Sequence, residues 1–329
     1  MKKSIVLLVA FLGICSFAQT KTAEELGFEH RIFKYREDQV DVVIKSKQGE
    51  EHTVKPLLFF CQGSTPEPVL KYYKDKILAF PVDMEDYIEQ YHLVFVGKPG
   101  IPLVVDLEEI GPPYSYMNTL DKIPTAYTER NYLDYYVERN IEILKDLEKE
   151  DWVAKDRLIV VGHSEGSTIA AKMAALYPKI THLIYSGGNP MGRILAIISE
   201  LRYTETQENQ EAERLFDHWD WIVENKDSTT DERGDSPKAT YAFSQSSMSY
   251  FKEMKIPVLV TYGSKDWSAP FNDYLRVEAI KEGWKNFTFK AYVGTEHNFF
   301  PVDEKYIPDH SVRNWPKVGE DWLVWLNEN

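Results

Sequence analysis

The sequence contains very little cysteine: its 329 residues include only Cys15 and Cys61. Cys15 lies in an N-terminal segment that we expect to be removed, so the mature chain would keep one thiol and could not form an internal disulfide. We interpret Cys61 as a buried strand residue rather than a second nucleophile. Stability must therefore come from a large apolar core, which a chain of this length can bury.

Basic residues are scarce relative to acidic ones. The chain has 38 Lys and Arg against 52 Asp and Glu, a formal net charge of −14 at pH 7. An acidic surface argues against nucleic acid and anionic lipid as partners. There is no Gly-rich phosphate loop and no basic patch, and we predict no cofactor. Asp217, His218 and Asp220 resemble a metal cluster, but neighbours this close on a helix point in different directions, so we predict no metal site.

Long apolar runs are absent except at the N-terminus, where Ile5–Phe17 follows Lys2 and Lys3. This run is shorter than the ~18–20 residues that span a bilayer. Ala18 gives a small residue at the expected cleavage point. Lipidation of Cys15 is disfavoured, because a lipoprotein signal needs a small residue before the cysteine and Ile14 is bulky. We therefore predict a signal peptide over residues 1–18, export to the periplasm or the outside of the cell, and no membrane span in the mature chain.

Apolar runs typical of strands recur along the rest of the chain. Most are continuous, as in strands covered on both faces, whereas the last one alternates, which suits a strand near a sheet edge. The predicted strands are Val40–Ile44, Leu57–Phe60, Leu93–Val96, Leu158–Val161, Ile180–Tyr185, Val258–Tyr262 and Phe287–Val293.

Helical patterns lie between these runs. Leu133, Tyr136, Val137, Ile141 and Leu144 share one helix face, and a short alanine-rich helix over 169–176 ends before Pro178. Strands that alternate with helices predict an α/β fold, with a mostly parallel central sheet flanked by helices.

Two segments interrupt the alternation. Residues 98–124 carry five prolines and form a long loop that could line a pocket. Residues 189–250 are too long for an ordinary crossover, so we predict a helical cap inserted between strands 6 and 7 of the sheet. The core would then comprise residues 19–188 and 251–329. An apolar stripe in the insertion that includes Phe216 and Trp219 is equally compatible with an ordinary packed helix and with aromatic side chains that face the substrate.

Gly162-His163-Ser164-Glu165-Gly166 is the one G-x-S-x-G pattern in the sequence. A predicted strand runs into it and a helix follows, the context in which a serine sits on a strained turn and projects its hydroxyl above the sheet. Glycine at 162 and 166 is needed where neighbouring backbone comes too close for a Cβ. Ser164 is therefore the candidate nucleophile.

A serine hydroxyl needs a base, and the base needs an acid that orients it. Asp266 follows the predicted strand Val258–Tyr262, and His297 follows Phe287–Val293, so both would lie at the carboxyl ends of strands. We predict Asp266 as the acid and His297 as the base. His310 is the alternative base, but it lies well beyond the strand end.

The reaction also requires donors for a developing oxyanion. The backbone N–H of Glu165, the residue after the nucleophile, is one candidate. The second is expected after the strand Leu57–Phe60, where either Gly63 or Ser64 could supply a backbone N–H.

From about residue 40 to 327 this chain resembles the α/β-hydrolase superfamily, on the strength of the G-x-S-x-G turn and the order Ser164, Asp266, His297. Members commonly have His-Gly at the oxyanion turn, where this sequence has Gln62-Gly63. Many also carry Asp-x-Arg-Gly where this chain has Val96-Gly97-Lys98-Pro99-Gly100, so it does not resemble the epoxide-hydrolase and dehalogenase branches.

The sequence predicts an exported serine hydrolase that cleaves a carboxylic ester through an acyl-enzyme intermediate. One alternative is a peptidase of the same fold, with Glu211 or Glu213 binding a substrate amine; the other is a non-catalytic binding protein on this scaffold. The partner would be a small ester or a peptide-like molecule, with the oligomeric state left open. Candidate pocket residues are Tyr114, Phe216, Trp219 and Trp267.

Overall fold

A computed structural model describes residues 20–111, 114–117, 120–230 and 235–329. The predicted signal peptide lies outside these residues, as do Pro112 and Pro113 of the proline-rich loop. Residues 228–236 are polar and contain a glycine, which predicts an exposed loop, and residues 231–234 of it also lie outside the described residues. Within the described residues no helix is both long and apolar enough to cross a membrane.

Eight strands of the described residues form one sheet. The strands are β1 Glu29–Tyr35, β2 Asp38–Lys45, β3 Lys55–Cys61, β6 His92–Val96, β8 Val153–His163, β9 His182–Ser186, β10 Val258–Gly263 and β11 Phe287–Tyr292. Their order in the sheet is β1-β2-β6-β3-β8-β9-β10-β11. The strands β3, β6, β8, β9, β10 and β11 are parallel, and β2 is antiparallel to both β1 and β6.

The predicted mostly parallel sheet is confirmed, and each predicted strand corresponds to one of these elements. β11, whose residues alternate in polarity, is an edge strand, as expected. The prediction missed β1, the opposite edge. It also missed a small sheet of β4 Leu70–Tyr73, β5 Lys76–Leu78 and β7 Val104–Asp106, whose last strand lies inside the predicted long loop.

Helices cover both faces of the sheet. The helices of the described residues are α1 Met84–Ile88, α2 Leu107–Ile110, α3 Thr125–Arg130, α4 Leu133–Leu147, α5 Glu165–Leu176, α6 Arg193–Thr204, α7 Glu211–Glu224, α8 Pro237–Phe243, α9 Met248–Glu253, α10 Ala269–Lys281 and α11 Trp315–Glu328. On one face α4 and α5 pack with α9 against a core that includes Val137, Ala170 and Phe251. On the other face α1 and α11 pack against a second core that includes Tyr87 and Trp322.

The helices α6 to α9 lie between β9 and β10, the sixth and seventh strands of the main sheet in chain order. The predicted insertion boundary at residue 250 falls inside α9, whose Phe251 is part of the main core. On α7 only Ala212 and Ile222 are buried. Trp219 stacks on Tyr241 of α8, so this part of the apolar stripe packs within the insertion.

Candidate active site

Ser164 lies on the turn between β8 and α5 with φ 58° and ψ −130°. This backbone conformation is strained for a residue with a side chain. The flanking glycines make the turn possible, because a Cβ on Gly162 would lie 2.1 Å from the carbonyl oxygen of Gly166 and one on Gly166 would lie 2.0 Å from that of Cys61. The close approach of the strand and the helix thus fixes the position of the Ser164 hydroxyl.

The structure brings Ser164, His297 and Asp266 together. The Nε2 of His297 lies 2.8 Å from the Ser164 Oγ, and its Nδ1 lies 2.8 Å from the Asp266 Oδ2. The other Asp266 oxygen accepts the backbone N–H of Ser268 at 2.8 Å. The three residues follow β8, β10 and β11, so the carboxyl edge of the parallel sheet aligns them.

The surroundings of His297 shift the pKa of its imidazole. Burial lowers the pKa of His297, but the negative charge of Asp266 and the hydrogen bond to it outweigh that effect, and the net shift is upward. A raised pKa makes the ring a stronger proton acceptor. His310, the alternative base, instead packs against Phe300 on the ring edge.

A second histidine supports the first. His163 is buried, and its Nδ1 and Nε2 lie 3.1 Å from the Ser186 Oγ and 3.3 Å from the Asn298 Oδ1. Its ring lies 5.1 Å from that of His297, between centroids. Burial lowers the pKa of His163 to about 3, so this ring stays neutral and packs beside His297 without competing for the proton. This contact could not be predicted from the position of His163 in the motif.

The loop after β3 passes close to Ser164. A Cβ on Gly63 would lie 3.5 Å from the Ser164 Cβ. All three carbonyl oxygens of residues 63–65 face buried side chains: the Lys98 Nζ donates to Gly63 at 2.5 Å and to Thr65 at 2.7 Å, and the Tyr127 hydroxyl donates to Ser64 at 2.5 Å. Lys98 and Tyr127 therefore fix the orientation of each peptide group in this loop.

Lys98 and Glu165 are the buried members of a charge network that was not predicted from the sequence. Lys98 shares its surroundings with Glu165, whose Oε2 accepts from the Arg193 Nη1 at 3.2 Å; Arg193 also pairs with Asp235. Burial lowers the pKa of Lys98 to about 8 and raises that of Glu165 to about 7. In each case the opposite charges nearby shift the pKa the other way, but burial has the larger effect. The network joins the β3 loop, the nucleophile helix and α6 of the insertion.

Two cavities meet at Ser164. The smaller, about 100 Å³, lies between the nucleophile and α6; the larger, about 580 Å³, lies on the side of the β3 loop and residue 300. Both include Ser64, Ser164 and His297. The smaller is also lined by Glu165, Thr168, Gly187, Gly188, Asn189, Arg193, Ala196, Phe243 and Ser268.

None of the four predicted pocket residues lines either cavity. Trp267 stacks on Tyr306 with ring centroids 5.2 Å apart, and Trp219 stacks on α8. Phe216 and Tyr114 are 44% and 38% exposed. The side chains that line the smaller cavity are mostly small or polar, whereas Phe60, Phe80, Phe300 and Trp315 line the larger one.

Within the described residues no group of three or more His, Cys, Asp or Glu side chains is arranged to hold a metal ion. Cys61, at the end of β3, is a buried free thiol, and burial raises the pKa of this thiol. The chemistry available at the site is that of a serine, an imidazole and a carboxylate.

Comparison with solved structures finds the same architecture in several hydrolases. Est1E from Butyrivibrio proteoclasticus aligns with a TM-score of 0.53 at 14% identity, over 91% of this chain and 98% of that one. The acylaminoacyl peptidase of Pyrococcus horikoshii aligns with a TM-score of 0.52 at 15% identity, over 82% of this chain. A putative dipeptidyl aminopeptidase IV from Bacteroides ovatus gives a TM-score of 0.58 at 11% identity over 92% of this chain.

This chain spans 37% of the length of the Pyrococcus peptidase and 36% of the Bacteroides protein. No family model and no curated protein matches the sequence. At these identities the likeness shows a common fold.

Proposed function

We propose that this chain, which has the α/β-hydrolase fold of those structures, is a serine hydrolase that cleaves carboxylic esters through an acyl-enzyme on Ser164. The observation that carries the proposal is the unbroken hydrogen-bond chain from the Ser164 Oγ through both nitrogens of His297 to Asp266, with 2.8 Å at each step. A hydroxyl with a base in contact, and a carboxylate behind that base, is the arrangement that activates a serine.

In the proposed reaction the Ser164 Oγ bonds to the acyl carbon while its proton moves to the His297 Nε2. Asp266 stabilises the imidazolium that forms. The tetrahedral intermediate then expels the alcohol, which takes the proton from His297. Water attacks the acyl-enzyme with His297 again as base, and the carboxylic acid leaves as the Ser164 hydroxyl is restored.

Two backbone N–H groups would stabilise the oxyanion. Glu165 is the first residue of α5, so no residue of its own helix accepts its N–H. For the second donor we favour Ser64 over Gly63. In a trans peptide the C=O and the next N–H point in opposite directions; since the Gly63 carbonyl faces the buried Lys98, the Ser64 N–H faces away from Lys98. Ser64 also lines both cavities.

A peptidase is the second candidate, because two of the structures with this fold are named as peptidases. The carboxylates that we considered for binding a substrate amine do not favour it. Glu213 is exposed and pairs with Arg202, and neither Glu211 nor Glu213 lines the two cavities. An ester is also the easier substrate, because an amide needs better protonation of its leaving group.

The test is labelling by a fluorophosphonate, followed by a substrate panel. Wild type should be labelled, Ser164→Ala should not, and Ser311→Ala, a change of an exposed serine, should be labelled as wild type. If both variants were still labelled, a residue other than Ser164 and Ser311 would be the nucleophile. An unlabelled wild type would support a binding protein without catalysis. Activated esters should be turned over at least a hundredfold faster than aminoacyl and prolyl anilides; the opposite order would favour the peptidase.

The proposal includes export, which is based on the Lys2–Ala18 pattern alone. Expression of the full chain in a bacterium should give a mature protein in the periplasm or medium that begins at Gln19. An N-terminus at Met1, or a protein retained in the cytoplasm, would contradict it.

A further inference from the structure

The larger cavity beside Ser164 has both aromatic and polar walls. Its volume of about 580 Å³ is typical of a pocket that encloses a small ligand. Four aromatic side chains line it, and most of the other lining residues are polar. The aromatic residues are Phe60, Phe80, Phe300 and Trp315. Aromatic rings attract one another beyond what burial alone gives, so these walls favour an aromatic group in the ligand over a saturated one.

The charged side chains that line this cavity do not cancel. Lys71 donates to the Glu67 carboxylate at 2.6 Å, so these two form a neutral pair. Arg313, in the loop before α11, also lines the cavity, and within the described residues no carboxylate or aromatic ring holds its guanidinium. The cavity walls therefore keep one positive charge, although the whole chain has a net charge of −14.

Glu296, next to His297 in the chain, does not neutralise Arg313. Its Oε1 accepts the backbone N–H groups of Asn298 at 2.8 Å and Phe300 at 2.9 Å, and Glu296 does not line the cavity. Arg313 is exposed, so a ligand can contact its guanidinium without displacing a protein partner. A free guanidinium matches a carboxylate, which it binds through two parallel N–H groups.

The larger cavity lies on the side of the alcohol half of an ester. In the proposed reaction the leaving oxygen takes its proton from the His297 Nε2, so the alcohol must lie beside the loop that carries His297. Asn298 and Phe300 of that loop line the larger cavity and not the smaller one. The larger cavity also extends to exposed residues, Leu78 and Arg313, which gives the released alcohol a way to solvent.

We infer that the alcohol half of the substrate binds in the larger cavity, and that it carries an aromatic ring and an anionic group recognised by the Arg313 guanidinium. This inference rests on the proposed function. It makes Arg313 a residue that determines specificity, and it narrows the substrate class to esters of an acidic aromatic alcohol.

The experiment compares three acetate esters that differ in the alcohol. They are 4-carboxybenzyl acetate, its neutral amide 4-carbamoylbenzyl acetate, and 4-carboxycyclohexylmethyl acetate, in which the ring is saturated. Each kcat/KM is divided by the rate of alkaline hydrolysis of the same ester, to remove intrinsic reactivity. Wild type should prefer the carboxylate over the amide, and the benzyl over the cyclohexyl ester, each by about fivefold. The preference for the carboxylate should fall in about 0.5 M NaCl, because salt screens an exposed charge.

The variants separate the charge from the ring. In Arg313→Gln the preference for the carboxylate should fall to about onefold, and Arg313→Lys should recover part of it, since lysine keeps the charge but lacks the planar group. Phe300→Leu should lower the preference for the benzyl ester and keep that for the carboxylate. Arg214→Gln, a matched change at an exposed arginine of α7 that lines neither cavity, should keep both preferences.

Four outcomes would overturn the inference. They are equal rates for the carboxylate and the amide in wild type, equal rates for the benzyl and cyclohexyl esters, a carboxylate preference that survives in Arg313→Gln, and preferences that occur only in methyl esters with the ring and carboxylate on the acyl half. Failure of the proposed function would look different, since wild type would then hydrolyse no ester, phenyl acetate included, and would not react with the fluorophosphonate.

Discussion

The ammonium of Lys98 lies 2.5 Å from the carbonyl oxygen of Gly63, at the end of a side chain that is buried in the protein. Burying a lysine is costly, and the lowered pKa of about 8 shows that cost. The contact holds the peptide group whose opposite end carries the proposed Ser64 oxyanion donor. We therefore interpret Lys98 as a positioning residue, which acts on the reaction through the backbone.

Lys98→Met should lower kcat by about ten- to a hundredfold with little change in KM. The reason is that the loop keeps its N–H groups but loses the contact that orients them, and an oxyanion donor acts mainly in the transition state. Steady-state kinetics on an activated acetate ester measures both constants. Lys98→Arg should recover part of kcat, since it also can donate to two carbonyl oxygens.

The matched control is Lys155→Met. Lys155, an exposed residue near the start of β8, also donates to two backbone carbonyls, those of Glu148 and Glu150 before that strand. Its removal should leave both constants within twofold of wild type. A rise in KM with constant kcat in Lys98→Met would show that Lys98 contributes to substrate binding instead.

Asp266→Asn should lower kcat by about a thousandfold or more, because the imidazole loses both its orienting partner and the charge that stabilises its protonated form. The pH profile should move as well. Only neutral His297 can accept the proton, so activity falls as pH drops below its pKa. Asp266 raises that pKa; without the charge, the acid limb of kcat/KM should therefore shift to lower pH.

The control for this change is Asp273→Asn. It removes a carboxylate of the adjacent helix α10 that accepts a hydrogen bond from the Tyr262 hydroxyl of β10. It should retain the acid limb of wild type. An unchanged limb in Asp266→Asn would mean that another group governs the ionisation.

Two glycines near Ser164 should respond differently to alanine. Gly166→Ala places a Cβ 2.0 Å from the Cys61 carbonyl oxygen, where only backbone movement could relieve the clash, so the variant should fail to give folded protein. Gly63→Ala places a Cβ no closer than 3.5 Å to another residue, so it should fold and melt within a few degrees of wild type. Circular dichroism on the purified variants is the measurement; a well-folded Gly166→Ala would contradict the close packing of α5 on β3.

The three residues of the hydrogen-bond chain could be proposed from sequence because each follows a strand pattern, which is continuous and apolar before Ser164 and Asp266 and alternating before His297. The carboxyl ends of parallel strands meet at one edge of a sheet, so residues far apart in the chain are brought together by topology alone. β1, Glu29–Tyr35, escaped prediction because its residues alternate between charged and aromatic and are mostly half-exposed, a weak signal at a sheet edge.

The supporting residues could not be predicted in the same way. Lys98 lies in a proline-rich stretch without periodicity, and its role depends on the depth to which the loop is buried. Asn189 and Arg193 lie at the start of the insertion, and their contacts depend on how α6 is positioned relative to α5. Phe216 and Trp219 of α7 were predicted as pocket residues, but amphipathic spacing predicts only which residues share a face and not what that face contacts.

Glu165→Gln should change the dependence of stability on pH. Burial raises the pKa of Glu165 from its ordinary 4.5 to about 7, so between these values the folded protein binds more protons than the unfolded chain, and the free energy of unfolding falls as pH rises. Glutamine does not titrate. The variant should gain stability relative to wild type between pH 5 and pH 8, by roughly 1–3 kcal/mol.

The measurement is the melting temperature of both proteins across this pH range, with Glu142→Gln on the exposed face of α4 as control. The control should differ from wild type by a constant amount. A constant difference for Glu165→Gln too would mean that Arg193 and Lys98 keep the carboxylate charged throughout. A gain that grows with pH would instead show that the charged Glu165 carboxylate is unfavourable in the folded protein, even though its side chain pairs with Arg193 of α6 and its backbone N–H is a proposed oxyanion donor.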